Sequence, residues 1–211
     1  RPVRAGFRIL FLARAERTKG VFAAIEAYRR LKAVAPSVRL IVAGDGPDLA
    51  RARAIAAGDP DVTFPGYVSG ERKHELFRGA DAYVLPSSSE GLPLSLLEAM
   101  AAGLPAVTTA VGGIRDFFED GRMGFLAPSA DPDVLAPLLT YALASLVVSD
   151  PVALNTILIT ASTPTAILSV VTVKLHRLNV HITMAAFVLT TAVYLLLVYP
   201  LEFLILTGRL L

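Results

Sequence analysis

Short apolar runs alternate with longer amphipathic segments along the first two thirds of the chain. The apolar runs predict buried strands at 7–13, 38–43, 62–64, 82–85, 105–109 and 124–127. Between them, apolar residues recur every three or four positions and predict helices at 20–35, 49–57, 71–78 and 93–102. Alternating strands and helices are typical of an α/β domain whose parallel sheet carries helices on both faces.

From residue 135 onward, polar positions almost disappear. The charged residues of this part are Lys174, Arg177, Arg209, Asp150 and Glu202. Two uncharged stretches, 152–173 and 182–201, are each long enough to cross about 30 Å of hydrocarbon as a helix. We therefore predict two domains, an α/β domain over 1–134 and a hydrophobic helical membrane segment over 135–211.

A third uncharged run, 134–149, has two interpretations. It is either a short additional span or the closing helix of the first domain, because Asp-Pro-Asp at 131–133 is a typical helix start. Lys174 and Arg177 favour a cytoplasmic loop between the two longer stretches. With only the two longer stretches as spans, such a loop would place the first domain outside the cell. A third span at 134–149 would place that domain in the cytoplasm, which favours the interpretation as a short span.

Composition excludes several classes of function. The chain has no cysteine, which rules out disulfide scaffolds and thiolate chemistry. Its net charge of +2 does not favour a nucleic-acid partner. We expect no metal site, no cofactor and no signal peptide.

Two cations follow the first predicted strand. Ligands of parallel sheets bind at the carboxyl ends of the strands, so the residues after each strand are the ones to search. Arg14 comes directly after the first strand, and Lys19 stands at the start of the following helix. Cations beside a helix N-terminus favour an anion, and phosphate is the common biological anion.

The segment after the fourth strand supplies amides and carboxylates. Pro93 suits the first position of a helix, which would leave free backbone amides at Gly91, Leu92, Leu94 and Ser95. Glu90 precedes this helix and Glu98 lies within it. Because carboxylates accept hydrogen bonds from sugar hydroxyls, the cations, amides and carboxylates together suit a nucleotide sugar.

Several stretches, in this order and spacing, carry a family resemblance. They are 14–20 (RAERTKG), 40–47 (LIVAGDGP), 64–68 (FPGYV), 86–105 (PSSSEGLPLSLLEAMAAGLP), 111–114 (VGGI) and 120–126 (DGRMGFL). Residues 7–135 thereby resemble the C-terminal, donor-binding domain of retaining glycosyltransferases with the two-domain GT-B fold. The resemblance implies a Rossmann-like half of that fold and a UDP- or GDP-linked sugar as ligand.

The resemblance also implies roles for individual residues. Arg14 and Lys19 would bind the diphosphate, and Glu98 would hold the ribose hydroxyls. Glu90, the candidate catalytic residue, would meet the donor sugar. The backbone that would contact sugar and phosphate is that of Gly91, Leu92, Pro93 and Leu94. The chain departs from the family at Ala13 and Ala15, where Gly and Leu are usual.

Six residues precede the first predicted strand, so we expect the family's acceptor-binding domain to be a separate partner. Transfer needs donor and acceptor held together, and we expect this chain alone to bind a nucleotide sugar weakly without transferring it.

Residues 150–204, with STPTA at 162–166, resemble the last two helices of auxin-efflux-carrier-type membrane transporters. For the chain as a whole, we favour a cytoplasmic donor-binding domain that is tethered to a lipid bilayer. The alternatives are a transporter fragment and a non-functional join of two truncated modules.

Overall fold

The computed structural model of the chain describes residues 6–146. Its strands are β1 Arg8–Leu12, β2 Arg39–Ala43, β3 Val62–Gly66, β4 Ala82–Leu85, β5 Ala106–Thr109 and β6 Gly124–Ala127. Its helices are α1 Val21–Val34, α2 Leu49–Ile55, α3 Gly70–Gly79, α4 Leu94–Ala101, α5 Ile114–Phe117 and α6 Pro132–Ala144. A single 3-10 turn at Arg17–Lys19 precedes α1.

All six strands are parallel, in the order β3-β2-β1-β4-β5-β6. Leu10 at the centre of the sheet stands opposite Ile41 on one side and Tyr83 on the other. The chain builds outward from β1 to β3, then returns and builds outward from β4 to β6. The direction of building therefore reverses between β1 and β4, and their carboxyl ends border the crevice where ligands of such sheets bind. The predicted α/β, Rossmann-like parallel sheet is confirmed.

Helix α6 closes the described domain. It packs against α1 and against β4, β5 and β6, and its Leu135, Leu138 and Leu139 are fully buried. The ring of Tyr141 meets that of Phe125 edge-on, with 5.1 Å between centroids. The prediction of a membrane span at 134–149 is therefore wrong for the described residues 134–146, because the apolar face of α6 covers the sheet and α1.

The domain boundary that we predicted at residue 134 falls inside α6. Within residues 6–146, no helix has the length and apolar character needed to cross a membrane. The stretches 152–173 and 182–201, and the transporter-like resemblance at 150–204, lie outside the described residues.

Candidate functional site

The loops after β1 and β4 touch each other at the carboxyl edge of the sheet. The Ser88 amide donates to the Thr18 carbonyl over 2.9 Å. Gly20 has a φ of 79°, and a Cβ there would overlap the Pro86 carbonyl. This close approach explains the glycine between the 3-10 turn and α1, and it places Lys19 beside the segment that leads into α4.

Lys19 and Glu90 form an ion pair across these two loops. Lys19 Nζ lies 2.8 Å from Glu90 Oε2, and the side chains are 27% and 6% exposed. Ser87 Oγ donates to the other carboxylate oxygen over 2.7 Å. Both oxygens of Glu90, the candidate catalytic residue, are therefore already engaged.

Helix α4 begins one residue later than predicted. Pro93 has an extended conformation and serves as the N-cap, and its carbonyl accepts hydrogen bonds from the amides of Leu96 and Leu97. A proline fits this position as well, since its missing N–H is not needed there. Within residues 6–146, no acceptor contacts the predicted ligand-facing amides, which are those of Gly91, Leu92, Leu94 and Ser95.

Glu98, one turn after Ser95 on α4, pairs with a lysine of α3. Lys73 Nζ lies 2.5 Å from Glu98 Oε1, and the side chains are 24% and 37% exposed. Nothing in the local pattern around Lys73 indicates this contact, because its partner lies 25 residues further along the chain. The pair joins α3 to α4 beside the crevice.

Arg14 lines a cavity of about 490 Å³ at the same edge of the sheet. The cavity is formed by the loops after β1, β2 and β3 together with Ser95 of α4. The Arg14 side chain is 66% exposed, and its Nε lies 3.4 Å from Glu16 Oε2. The other predicted site residues, Lys19, Glu90 and Glu98, are not among the residues that line this cavity.

A buried tyrosine of β4 connects the two sides of the crevice. The Tyr83 hydroxyl lies 3.0 Å from the carbonyl of Leu12, at the end of β1, and 2.8 Å from Ser95 Oγ on α4. Burial raises the pKa of Tyr83, the hydrogen bond with Ser95 offsets part of that rise, and the charges of Glu90 and Glu98 add to it. The sequence did not predict this contact, because residues 82–85 indicate only a buried apolar strand.

The chain is similar to known glycosyltransferases, but the similarity covers only part of the length of each. The putative colanic acid biosynthesis glycosyltransferase WcaL of Salmonella typhimurium is 34% identical over 140 residues, which are 62% of this chain and 34% of WcaL. The amylovoran biosynthesis glycosyltransferase AmsK of Erwinia amylovora is 38% identical over 141 residues, 63% of this chain and 35% of AmsK. The chain thus spans about a third of the length of these curated relatives.

Solved structures share the fold. The catalytic domain of cholesterol-alpha-glucosyltransferase from Helicobacter pylori superposes with a TM-score of 0.59 at 20% identity, over 74% of this chain and 94% of that one. Anabaena Alr3699/HepE, solved with UDP and glucose, gives a TM-score of 0.58 at 21% identity, over 89% of this chain and 48% of that one.

These comparisons give no support to the transporter-like resemblance of residues 150–204. Residues 5–146 match the family described as glycosyl transferases group 1. The chain therefore belongs to the glycosyl transferases group 1 family, and its described domain is a Rossmann-like half of the GT-B fold.

Proposed function

We propose that residues 6–146 bind the nucleoside diphosphate part of a nucleotide sugar, as the donor-binding half of a retaining glycosyltransferase. The observation that carries this proposal is the grouping of cations, free amides and carboxylates at one edge of the sheet. Arg14 and Lys19 follow the carboxyl end of β1, and the start of α4 follows that of the neighbouring strand β4. This is where ligands of doubly wound sheets bind.

The diphosphate would lie between the cations and the α4 amides. Helix N-terminal amides and a guanidinium both donate charge-assisted hydrogen bonds to phosphate oxygens. Arg14 is well placed for this exchange because it is largely exposed and its contact with Glu16 is long, at 3.4 Å. A long contact made by an exposed guanidinium contributes little to stability, so Arg14 can turn to a ligand at small cost.

Glu98 would accept hydrogen bonds from the ribose hydroxyls. Lys73 occupies its Oε1, but a carboxylate has about four lone-pair positions, so room remains for a diol. Glu90 would face the donor sugar. With Lys19 and Ser87 on its two oxygens, its geometry favours holding a sugar hydroxyl and a cation over direct nucleophilic attack.

Two solved relatives of the same fold support a UDP-linked donor. Alr3699/HepE was solved with UDP and glucose, and the pneumococcal O-GlcNAc transferase GtfA with UDP and GlcNAc. We therefore propose UDP as the first nucleotide to test and GDP as the second.

Calorimetric titration of the full chain with UDP-glucose, UDP, GDP and inorganic pyrophosphate tests the proposal. Arg14→Ala should weaken the binding of all phosphate ligands by about tenfold, the worth of one charge-assisted hydrogen bond. Glu98→Gln should weaken nucleotide binding but leave pyrophosphate binding unchanged, because pyrophosphate has no ribose. The matched control is Arg122→Ala, which removes one exposed positive charge before β6, at the opposite edge of the sheet. If both Arg14→Ala and Glu98→Gln bind UDP and GDP like the unaltered chain, the proposed site is wrong.

Sugar transfer requires an acceptor close to the donor. We propose that a separate acceptor-binding domain supplies that site, so the chain alone should hydrolyse or transfer the sugar at no more than the background rate. Turnover of UDP-glucose by the purified chain with any acceptor would contradict this proposal.

We further propose that the uncharged stretches 152–173 and 182–201 tether the domain to a lipid bilayer, with the domain on the cytoplasmic side. Flotation of the full chain with lipid vesicles tests the tether. Protease accessibility of the domain in sealed, oriented membranes tests the side. A chain that stays at the bottom of the gradient, or a domain cut only from the outside, would contradict the respective part.

A further inference from the structure

A chain of three oxygens runs through the floor of the crevice, from Ser95 through Tyr83 to the backbone of Leu12. The Tyr83 side chain is fully buried. Its oxygen lies 3.0 Å from the Leu12 carbonyl and 2.8 Å from Ser95 Oγ. Both distances are those of O–H···O hydrogen bonds.

The direction of these hydrogen bonds follows from the chemistry of the three groups. A carbonyl oxygen can only accept, whereas a phenol has one proton to donate. The Tyr83 proton must therefore lie toward Leu12. Tyr83 can then only accept from Ser95, so the Ser95 proton is directed at Tyr83. Burial raises the pKa of Tyr83, which keeps the phenol protonated and the order of donors and acceptors unchanged.

The consequence is that Ser95 offers only lone pairs to the cavity that it lines. One turn further along the same face of α4 stands Glu98, whose ionised carboxylate is also acceptor-only. A ligand group that hydrogen-bonds to the side chain of Ser95 or Glu98 must therefore be a donor. Hydroxyls satisfy that requirement, and phosphate oxygens do not.

We propose that the Ser95 hydroxyl is a specificity-determining group that accepts a hydrogen bond from a ribose hydroxyl of the bound nucleotide. It thereby orients the ligand, with the ribose beside Ser95 and Glu98 and the diphosphate between Arg14 and the amides at the start of α4. This inference rests on the proposed function and assigns a role to a side chain that neither the sequence pattern nor the family resemblance singled out.

The test compares ribonucleotides with deoxynucleotides. The full chain is titrated with UDP, 2′-deoxy-UDP and 3′-deoxy-UDP, or with the guanine series if GDP binds more tightly. Ser95→Ala should weaken UDP binding about two- to tenfold, the net worth of one hydrogen bond. It should leave unchanged the binding of the deoxynucleotide that lacks the partner hydroxyl. Ser89→Ala, an exposed serine of the preceding loop, is the control and should change neither.

A purely structural role for Ser95 would weaken the binding of all three nucleotides by the same factor. That result would overturn the inference, as would no change at all.

Tyr83→Phe tests the relay, which is the hydrogen-bond chain from Ser95 through Tyr83 to the Leu12 carbonyl. It leaves Ser95 in place but frees its proton, so the preference for UDP over the deoxynucleotide should fall by a smaller factor than in Ser95→Ala. An unchanged preference in a Tyr83→Phe chain with unaltered circular dichroism would overturn the relay.

The two proposals fail in different ways. If the unaltered chain binds neither UDP nor GDP, the proposed function is wrong and this inference falls with it. If the chain binds UDP and Arg14→Ala weakens that binding, but Ser95→Ala leaves the ribose preference intact, only the role of Ser95 is wrong.

Discussion

Removing the charge of Lys19 and removing the charge of Glu90 should lower the free energy of unfolding by different amounts. Lys19→Met keeps the apolar stem of the lysine but removes the ammonium. Glu90→Gln keeps the shape of the carboxylate and an oxygen that still accepts from Ser87. Comparing the two substitutions separates the burial of each charge from the attraction between them.

The magnitudes follow from exposure. Two charges about 4 Å apart attract by about 4 kcal/mol at an effective dielectric constant near 20, and solvent reduces this where the pair is partly open. Glu90 is 6% exposed, so removing Lys19 leaves a nearly buried charge without its cation and should cost about 3 kcal/mol. Lys19 is 27% exposed and regains water when Glu90 becomes neutral, so Glu90→Gln should cost only about 1 kcal/mol.

Urea unfolding of the full chain, followed by far-ultraviolet circular dichroism, measures both values. The double variant completes the cycle and isolates the pairwise energy. Lys73→Met is the matched control, because its partner Glu98 is 37% exposed and the loss should stay below about 1 kcal/mol. Equal losses for Lys19→Met and Glu90→Gln would refute the claim that burial of Glu90 dominates.

Three further predictions concern the rest of the domain. Leu139→Ala should lower the free energy of unfolding by about 2–5 kcal/mol, since this α6 side chain is fully buried; a loss under about 1 kcal/mol in urea unfolding would show that α6 is not part of the core. Gly112→Ala should also destabilise the domain, by about 2 kcal/mol, because Gly112 has a φ of 50° and a Cβ would overlap the Glu90 carbonyl; an unchanged melting temperature would contradict this. The pKa of Asp59 is lowered, because burial acts to raise it but hydrogen bonds, chiefly from Lys32, outweigh burial. Its charged form therefore stabilises the fold above about pH 4, and this stability is lost as the pH falls through the folded-state pKa. Asp59→Asn should flatten the acid side of the stability curve, and an unaltered slope below pH 4 would exclude Asp59 as a contributor.

The local pattern of apolar and polar residues was sufficient to predict the strands of the sheet. It was insufficient where the surroundings of a segment or side chain depend on elements distant in the sequence. Ala82–Leu85 is an apolar run between Asp81 and Pro86, and the structure places β4 at those residues. The sequence of α6 is apolar whether its apolar face meets lipid or a sheet, so only its packing against α1 and β6 shows which one it meets. Likewise, the partners of Lys73 and Tyr83 come from other elements, and nothing beside them in the chain indicates those contacts.

The cations at the crevice differ in how freely they can serve a ligand. Arg14, Lys19 and Lys73 each face a carboxylate, so a bound diphosphate must compete with a negative charge already in place. When Arg14 turns away, Glu16 keeps the hydrogen bond from the Thr18 hydroxyl and stays partly open to water, at 23% exposure. When Lys19 turns away, Glu90 stays nearly buried and uncompensated. If the proposed site binds a diphosphate, Arg14 should leave its pair while Lys19 stays shared between Glu90 and the ligand, which would hold the carboxylate of Glu90 next to the donor sugar.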